Sequence, residues 1–329
     1  MVDDASVELE ITMSKNIHSG GILVEVVRNN LVESVHSGHL AILDSDGNSI
    51  LEIGDQDFLV YPRSAIKAIQ ASAMVRHGLS LDDELLALVC ASHAGSHIHQ
   101  ANALKILAVG GLSEAALANT PDKPLGISER KEWGDKKPTS LAANCSGKHA
   151  GMVVTATVNG WDVGSYKEPN HPLQVACREE LEKLSGEKIS TIAIDGCGAP
   201  LFALSFSGLV KAIHQLLVSG DSIHQRVTHA CRKYPEMVSG AGRLPTVAMQ
   251  KVNGLFVKDG AEGVMVAGLE SGETIVWKMS DGSQRGAGAL LSAALEHLGI
   301  AFEFERENVM GGGQVVGEIR ASKLVRYVE

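Results

Sequence analysis

The chain is poor in aromatic residues, only 4% of its 329 positions, which argues against a cofactor held in an aromatic cage. It also lacks any surplus of positive charge. A formal charge of -10 and a pI near 5.7, with no basic run, exclude the usual electrostatic footprint of a nucleic-acid partner. No apolar stretch approaches the roughly 20 residues that span a bilayer, so no membrane partner is expected. The opening residues Met1-Val2-Asp3-Asp4 are acidic and lack the basic and apolar regions of a secretory signal, so the expected location is cytoplasmic. There are 5 cysteines, Cys90, Cys145, Cys177, Cys197 and Cys231, widely spaced and without a C-x-x-C pair. That pattern is no disulfide framework; thiols are expected, as metal ligands or as small buried hydrophobes. Repeats and low-complexity tracts are absent as well.

What remains is ordinary globular composition, 44% hydrophobic and 21% charged, in a chain long enough for a substantial core. Apolar runs at 22–27, 40–43 and 49–53 read as strands, with Asp46-Gly47 as a hairpin turn between the last two. Helices are predicted from 64 to about 75, from Ser80 as N-cap to about 90, and over 99–109 ending at Gly110-Gly111. Residues 119–138, rich in Pro, Lys and Asp, read as a long surface loop. Further helices are expected over 148–158, 172–184, 204–218, 222–233 and 288–298, and strands over 255–257, 263–269 and 274–279. Strands first, helices in the middle and strands last favour an α+β fold. The expected organisation is one catalytic unit over 1–329 with two lobes. Residues 1–60 plus 240–329 form the mixed lobe with an antiparallel sheet, and 61–239 form a mostly helical lobe. A small-molecule site then falls in the cleft between them.

Within the first of these helices, Ser64 and Lys67 stand three residues apart, which brings them to one face. The rest of that helix, 68–75, is apolar on nearly every side, so a solvated lysine would be out of place there. A serine hydroxyl becomes a nucleophile when a base takes its proton, and a desolvated amine can be that base. The Ser-x-x-Lys pattern is the one used by penicillin-binding proteins and serine β-lactamases.

Four other segments combine reactive side chains with glycines: C-A-S-H at 90–93, N-C-S-G-K-H at 144–149, D-G-C-G at 195–198 and V-K-D-G-A-E-G at 257–263. Each also has a plain structural reading. Ser92 caps a helix, His93, His97 and His99 make a solvated face, Cys145 and Cys197 fill the core, and Lys258 sits in a surface turn.

Taken together the segments R-S-A-I-K, C-A-S-H, N-C-S-G-K-H-A-G-M, D-G-C-G-A-P, Y-P-E-M-V-S-G at 234–240 and V-K-D-G-A-E-G closely resemble the zinc-associated bacterial asparaginases of the Rhizobium type, the asparaginase II family. The resemblance runs from about Gly20 to about Gly282 in the family's order. It implies a β-lactamase/glutaminase-like fold and hydrolysis of L-asparagine to L-aspartate and ammonia. It implies catalytic roles for Ser64 with Lys67 and for Ser92 with Lys258. It also implies a Zn2+ site at Cys145, Lys148 and Cys197, with Asp195 beside it. Arg63, His93, Asn144 and Gly196 join Asp195 as positions expected to bind substrate or support the site. A homodimer is implied too. The sequence departs from the family pattern at Ala118-Asn119-Thr120-Pro121-Asp122-Lys123-Pro124, where a Cys-Gly-x-His-Pro segment is common, so this loop is expected to close over the site differently.

The expected chemistry is attack by Ser64 on the side-chain amide, with Lys67 as base, Lys258 as a second cation crowding the pocket, and Ser92 relaying a proton to ammonia. Zinc is expected to order the pocket and help bind substrate. Other Ser-Lys acyl hydrolases, a glutaminase or an amidase, remain as alternatives, as does a non-catalytic zinc- or ligand-binding relative.

Overall fold

The computed structural model describes residues 20–326. The opening residues that suggested a cytoplasmic location lie outside them. Strand β1 (Gly21–Arg28) turns at Asn29-Asn30, both in the left-handed region, into the long β2 (Leu31–Leu43). The strand extends well before the apolar run at 40–43, because its exposed half, Leu31 to Val35, pairs edge to edge with β1 rather than packing on a core. Beyond Gly38, β2 becomes buried and pairs with β9 (Thr274–Met279) on one side and β3 (Ser49–Ile53) on the other. The Asp46-Gly47 turn joins β2 to β3 as expected.

The remaining strands of this sheet come from the far end of the chain: β7 (Leu255–Gly260), β8 (Val264–Leu269), β10 (Asn308–Gly311) and β11 (Gln314–Ala321). The order is β10-β11-β1-β2-β9-β8-β7, all antiparallel, with β3 paired to β2 off this path. The first and last parts of the chain therefore share one sheet, as the strand order suggested. A second sheet, β4 (Leu59–Val60), β6 (Pro200–Ser205) and β5 (Thr191–Ile194), was not legible in the sequence. Its strands are short, and β6 runs straight into a helix that the periodicity had already claimed from 204.

Most of the helices come, in chain order, between the strands contributed by the two ends of the chain. The first is a 3-10 turn, Arg63–Ile66, continuing into α1 (Lys67–Arg76). Then come α2 (Asp83–Val89), α3 (His97–Val109), α4 (Ile127–Trp133), α5 (Ser146–Val158), α6 (Pro172–Ser185), α7 (Phe206–Val218), α8 (Ser222–Lys233), the short α9 (Pro235–Val238) and α10 (Leu244–Lys251). Helix α11 (Ala287–Glu296) follows the β7–β9 meander and packs on β1 and β11, while α7 packs on β8 and β9. Asp82, not Ser80, caps α2, accepting from the Leu85 N–H. The region read as one surface loop contains α4 and an antiparallel bridge between Asp122 and Thr139. Every residue of α1 from Lys67 to Met74 is buried, so this helix forms the middle of the helical region.

Two glycines of the N-C-S-G-K-H-A-G-M segment set how closely α5 approaches α2. A Cβ on Gly147 would stand 2.4 Å from the Leu88 carbonyl oxygen, and one on Gly151 would stand 3.0 Å from the Val89 methyl groups. They lie one turn apart and present a smooth strip to α2. Backbone cannot give way as a flexible side chain can, so Gly147→Ala is expected to destabilise the protein by about 2 kcal/mol or more, measured by chemical denaturation.

Candidate active site

A cavity of about 400 Å³ opens where the 3-10 turn before α1, the segment after α2, the start of α5, the β5–β6 turn and the end of β7 converge. Ser64, Ser92, Asn144, Cys145, Asp195, Cys197, Arg63, Arg243 and Asp259 all face it.

Ser64 lies in the 3-10 turn rather than in the first turn of the α-helix, and Lys67 is the first residue of α1. Lys67 is 1% exposed. Its Nζ donates to the Ala91 carbonyl at 2.5 Å, reaches Cys145 Sγ at 3.1 Å and approaches Ser92 Oγ at 3.3 Å. The sequence expectation paired Lys67 directly with Ser64. Instead the amine turns inward, because a buried amine needs hydrogen-bond partners and these three supply them. Among the described residues Ser64 Oγ makes no hydrogen bond, and it faces the cavity partly exposed.

Ser92 sits just beyond α2, in a segment held on both sides by backbone. Its N–H donates to the Val238 carbonyl at 3.0 Å, the Ala94 N–H to the Ser239 carbonyl at 2.7 Å, and the His93 N–H to the Asn144 carbonyl at 3.1 Å. This is what the Y-P-E-M-V-S-G segment does in the fold: it clamps the serine in place. Ser92 Oγ accepts from Lys258 Nζ at 3.0 Å, so it lies between two lysines. Lys258 is 0% exposed on β7, far from the surface turn that was its plain structural reading. Burial, with Lys67 and Arg243 as neighbouring cations, brings its pKa down to about 8, against the pull of Asp259.

Asp259 bridges two cations. Its Oδ1 accepts from Lys258 Nζ at 2.5 Å and its Oδ2 from Arg243 at 3.0 Å, while Arg243 also donates to the Ser92 carbonyl at 2.9 Å. Sequence reasoning named neither Asp259 nor Arg243 as a site residue. Asp259 lay inside a quoted motif beside Lys258, but Arg243, just before the Leu244-Pro245 helix start, carried no local signal.

On the opposite wall Arg63 donates to Asp195 Oδ1 at 2.8 Å, tying the Ser64 turn to the β5–β6 turn. Arg63 holds a φ of 52°, left-handed for a side-chain-bearing residue, a local strain that aims its guanidinium at Asp195. Gly196 sits in the same turn and donates its N–H to Asp195 Oδ1 at 2.8 Å.

Next to Asp195, Lys148 Nζ lies 3.4 Å from Cys197 Sγ. Cys197 is held far below the usual thiol range by its pairing with Cys145, then by the Lys148 cation. Cys145 is pushed up by its pairing with Cys197 and by burial, and its Sγ–H donates to Asn144 Oδ1 at 2.8 Å. Burial opposes charge on Lys148, but Cys197, Cys145 and Asp195 together hold its pKa above the usual amine value. His149 Nδ1 pairs with the Tyr166 hydroxyl at 2.8 Å, and its ring also interacts with Cys197. Burial brings the His149 pKa down to about 4, so the ring is neutral. Among the described residues no three His, Cys, Asp or Glu side chains are grouped to hold a metal. The converging donors are two cysteines and a lysine, a set that fits a thiophilic divalent ion once the Cys145 and Lys148 protons leave.

His93 and His99 are buried and stacked, with ring centroids 5.0 Å apart, and His93 Nε2 meets Ser146 Oγ at 2.9 Å. Only His97 of that trio is exposed, bonding Glu132, so the solvated-face reading fails for the other two. Burial and the neighbouring His99 hold the His93 pKa well below the ordinary histidine value. All five cysteines are free thiols, as expected without a disulfide framework. Among the described residues no helix is long and apolar enough to cross a membrane.

An α+β fold carrying a serine between buried lysines at the floor of a polar cleft belongs with the hydrolases. A family model for L-asparaginase II matches residues 24–321, and the chain belongs to that family, whose members are amidohydrolases. Comparison with curated proteins returns no match. Among solved structures, Mglu in its native form is similar at a TM-score of 0.44 and 12% identity, over 80% of this chain and 64% of that one. A putative beta-lactamase from Bacteroides dorei DSM 17855 is similar at 0.42 and 12%, over 74% of this chain and 84% of that one. This chain therefore spans just under two thirds of Mglu. Both likenesses are loose, and the fold rests on the topology described above.

Proposed function

We propose that this protein hydrolyses L-asparagine to L-aspartate and ammonia through an acyl-enzyme, with Ser64, Lys67, Ser92 and Lys258 acting as one unit. The observation that carries the reading is the Ser92 hydroxyl between the Lys67 and Lys258 amines, beneath a cavity that Ser64 faces unengaged. Ser64 Oγ attacks the side-chain amide carbon; its proton passes to Ser92 as Ser92 passes its own to the neutral Lys258 amine, while Lys67 holds the Ser92 oxygen. The C–N bond breaks as the leaving amine takes a proton from Ser92, and Ser92 is replenished by the lysines. Water then cleaves the Ser64 ester, and Ser64 regains its proton.

The Arg63–Asp195 pair suits the zwitterionic end of the substrate, the α-ammonium meeting Asp195 and the α-carboxylate meeting Arg63. Asp195→Asn is expected to raise KM about tenfold or more while sparing kcat within a few fold, read by steady-state ammonia release. A zinc ion held by Cys145, Lys148 and Cys197 would supply a fixed positive charge that orders this end of the pocket. The buried thiolate–ammonium cluster supports the site, and Asp195 joins it to Arg63.

The pH dependence has a definite sign. A Lys258 pKa lowered to about 8 means that the amine is free to accept a proton above that pH and is blocked as ammonium below it. Turnover is therefore expected to rise through about pH 8 and level off above, in a kcat–pH profile.

Assaying ammonia release on asparagine, glutamine and a chromogenic β-lactam tests reaction and specificity together. No release from asparagine overturns the reading, and preferential release from glutamine replaces it with the glutaminase alternative. The same reading takes the protein as a cytoplasmic homodimer and as one catalytic unit. Its two lobes are 1–60 with 240–329, and 61–239.

A further inference from the structure

Lys258 and Asp259 make a close ion pair, and a carboxylate this near would by itself keep the lysine charged. Arg243 changes the balance. It stands at the N-cap of α10, with Nη2 on Asp259 Oδ2 at 3.0 Å and Nη1 on the Ser92 carbonyl at 2.9 Å. One guanidinium thus touches both neighbours of the Lys258 amine.

We infer that Arg243 is a positioning residue for the serine–lysine relay. By taking one oxygen of Asp259 and the carbonyl of Ser92 together, it divides the carboxylate between two cations and leaves the Lys258 amine able to take the Ser92 proton. The inference rests on the reading that Lys258 exchanges a proton with Ser92.

Removing Arg243 acts on Lys258 in two ways of the same sign. A nearby positive charge disappears, and the Asp259 carboxylate turns wholly to Lys258. Both favour the ammonium. The other charged or titratable groups facing Lys258 are Lys67 from α1, the Cys90 thiol at the end of α2, and Cys231 of α8 against Cys90. Cys90 is held well above its usual value by its hydrogen bond to Cys231 and by burial, and stays neutral. Lys67 disfavours charge on Lys258 but keeps its place in every variant below. Arginine suits the role because its planar fork reaches two acceptors at once, which a single amine cannot.

The test is the kcat–pH profile on saturating L-asparagine for the wild type, Arg243→Met, Arg243→Lys, Asp259→Asn and Lys258→Met. In Arg243→Met the acidic limb is expected to move up by about one pH unit or more, so that a loss of about tenfold near neutrality is recovered in alkali. Arg243→Lys keeps the charge without the fork and is expected to move the limb less, in the same direction; it carries the test where the methionine variant does not fold. Asp259→Asn is expected to move the limb the opposite way, towards lower pH. A uniform fall at every pH in both Arg243 variants, with the limb in place, overturns the inference. Full turnover in Lys258→Met overturns the relay reading beneath it; an inactive Lys258→Met with unmoved limbs in the arginine variants overturns the inference alone.

Discussion

Ser64→Ala is expected to lower kcat on L-asparagine by about 10³-fold or more, with KM changed far less, because it removes the atom that bonds to the acyl carbon. Lys67→Met is expected to fall as far, and the Ser64→Ala/Lys67→Met double variant little further. Groups that act as one unit do not contribute additively. Ser92→Ala provides the internal comparison. It leaves two buried amines without the hydroxyl between them and is also expected to cost orders of magnitude, since Lys67 reaches Ser92 and Lys258 reaches Ser92 at 3.3 and 3.0 Å. Near-wild-type turnover in Ser64→Ala would remove it as the nucleophile. An ester trapped on Ser92, found by peptide mass spectrometry after acid quench, would reassign the covalent role to that serine.

Purified without chelator, the protein is expected to carry about one zinc per chain, and Cys197→Ala and Lys148→Met to lower metal affinity by about 100-fold or more. The physical reason lies in the charge arrangement. Cys197 is held well below the usual thiol range, with the Lys148 amine 3.4 Å away, so a divalent ion has little proton to displace from it. Cys145 and Lys148 must each release a proton, and the affinity is therefore expected to strengthen as pH rises. Elemental analysis and a competition titration against a chromogenic chelator check both statements. Protein that holds no zinc and takes up none on titration ends the metal proposal, while leaving the serine–lysine chemistry to its own tests.

The same residues show why one part of the site was legible and another was not. Ser64 and Lys67 announced themselves because a lysine in an apolar helix has no plain explanation, and the structure buries it. The helix was right and its chemistry was wrong in one detail, since Lys67 points to Ser92, 25 positions away, and not to the serine one turn before it. No local spacing encodes that choice. It depends on where the Ala91 carbonyl and the Cys145 thiol end up, which is settled by α2 packing on α5 across Gly147 and Gly151. The plain solvated-face reading of the 93–99 histidines fails for the same reason. Nothing local shows that His93 and His99 are buried, which the 234–240 segment, bonded to His99 through the Glu236 carbonyl, helps bring about.

By itself the sequence determined the α+β character, the shared sheet of the chain's two ends and the family, because alternation, caps and long motifs are local and survive without coordinates. Tertiary structure alone decided which amine meets which hydroxyl, and it brought in Arg243 and Asp259. A buried charge is placed by whichever acceptors the packed chain brings to it, and those acceptors come from elements far apart along the chain.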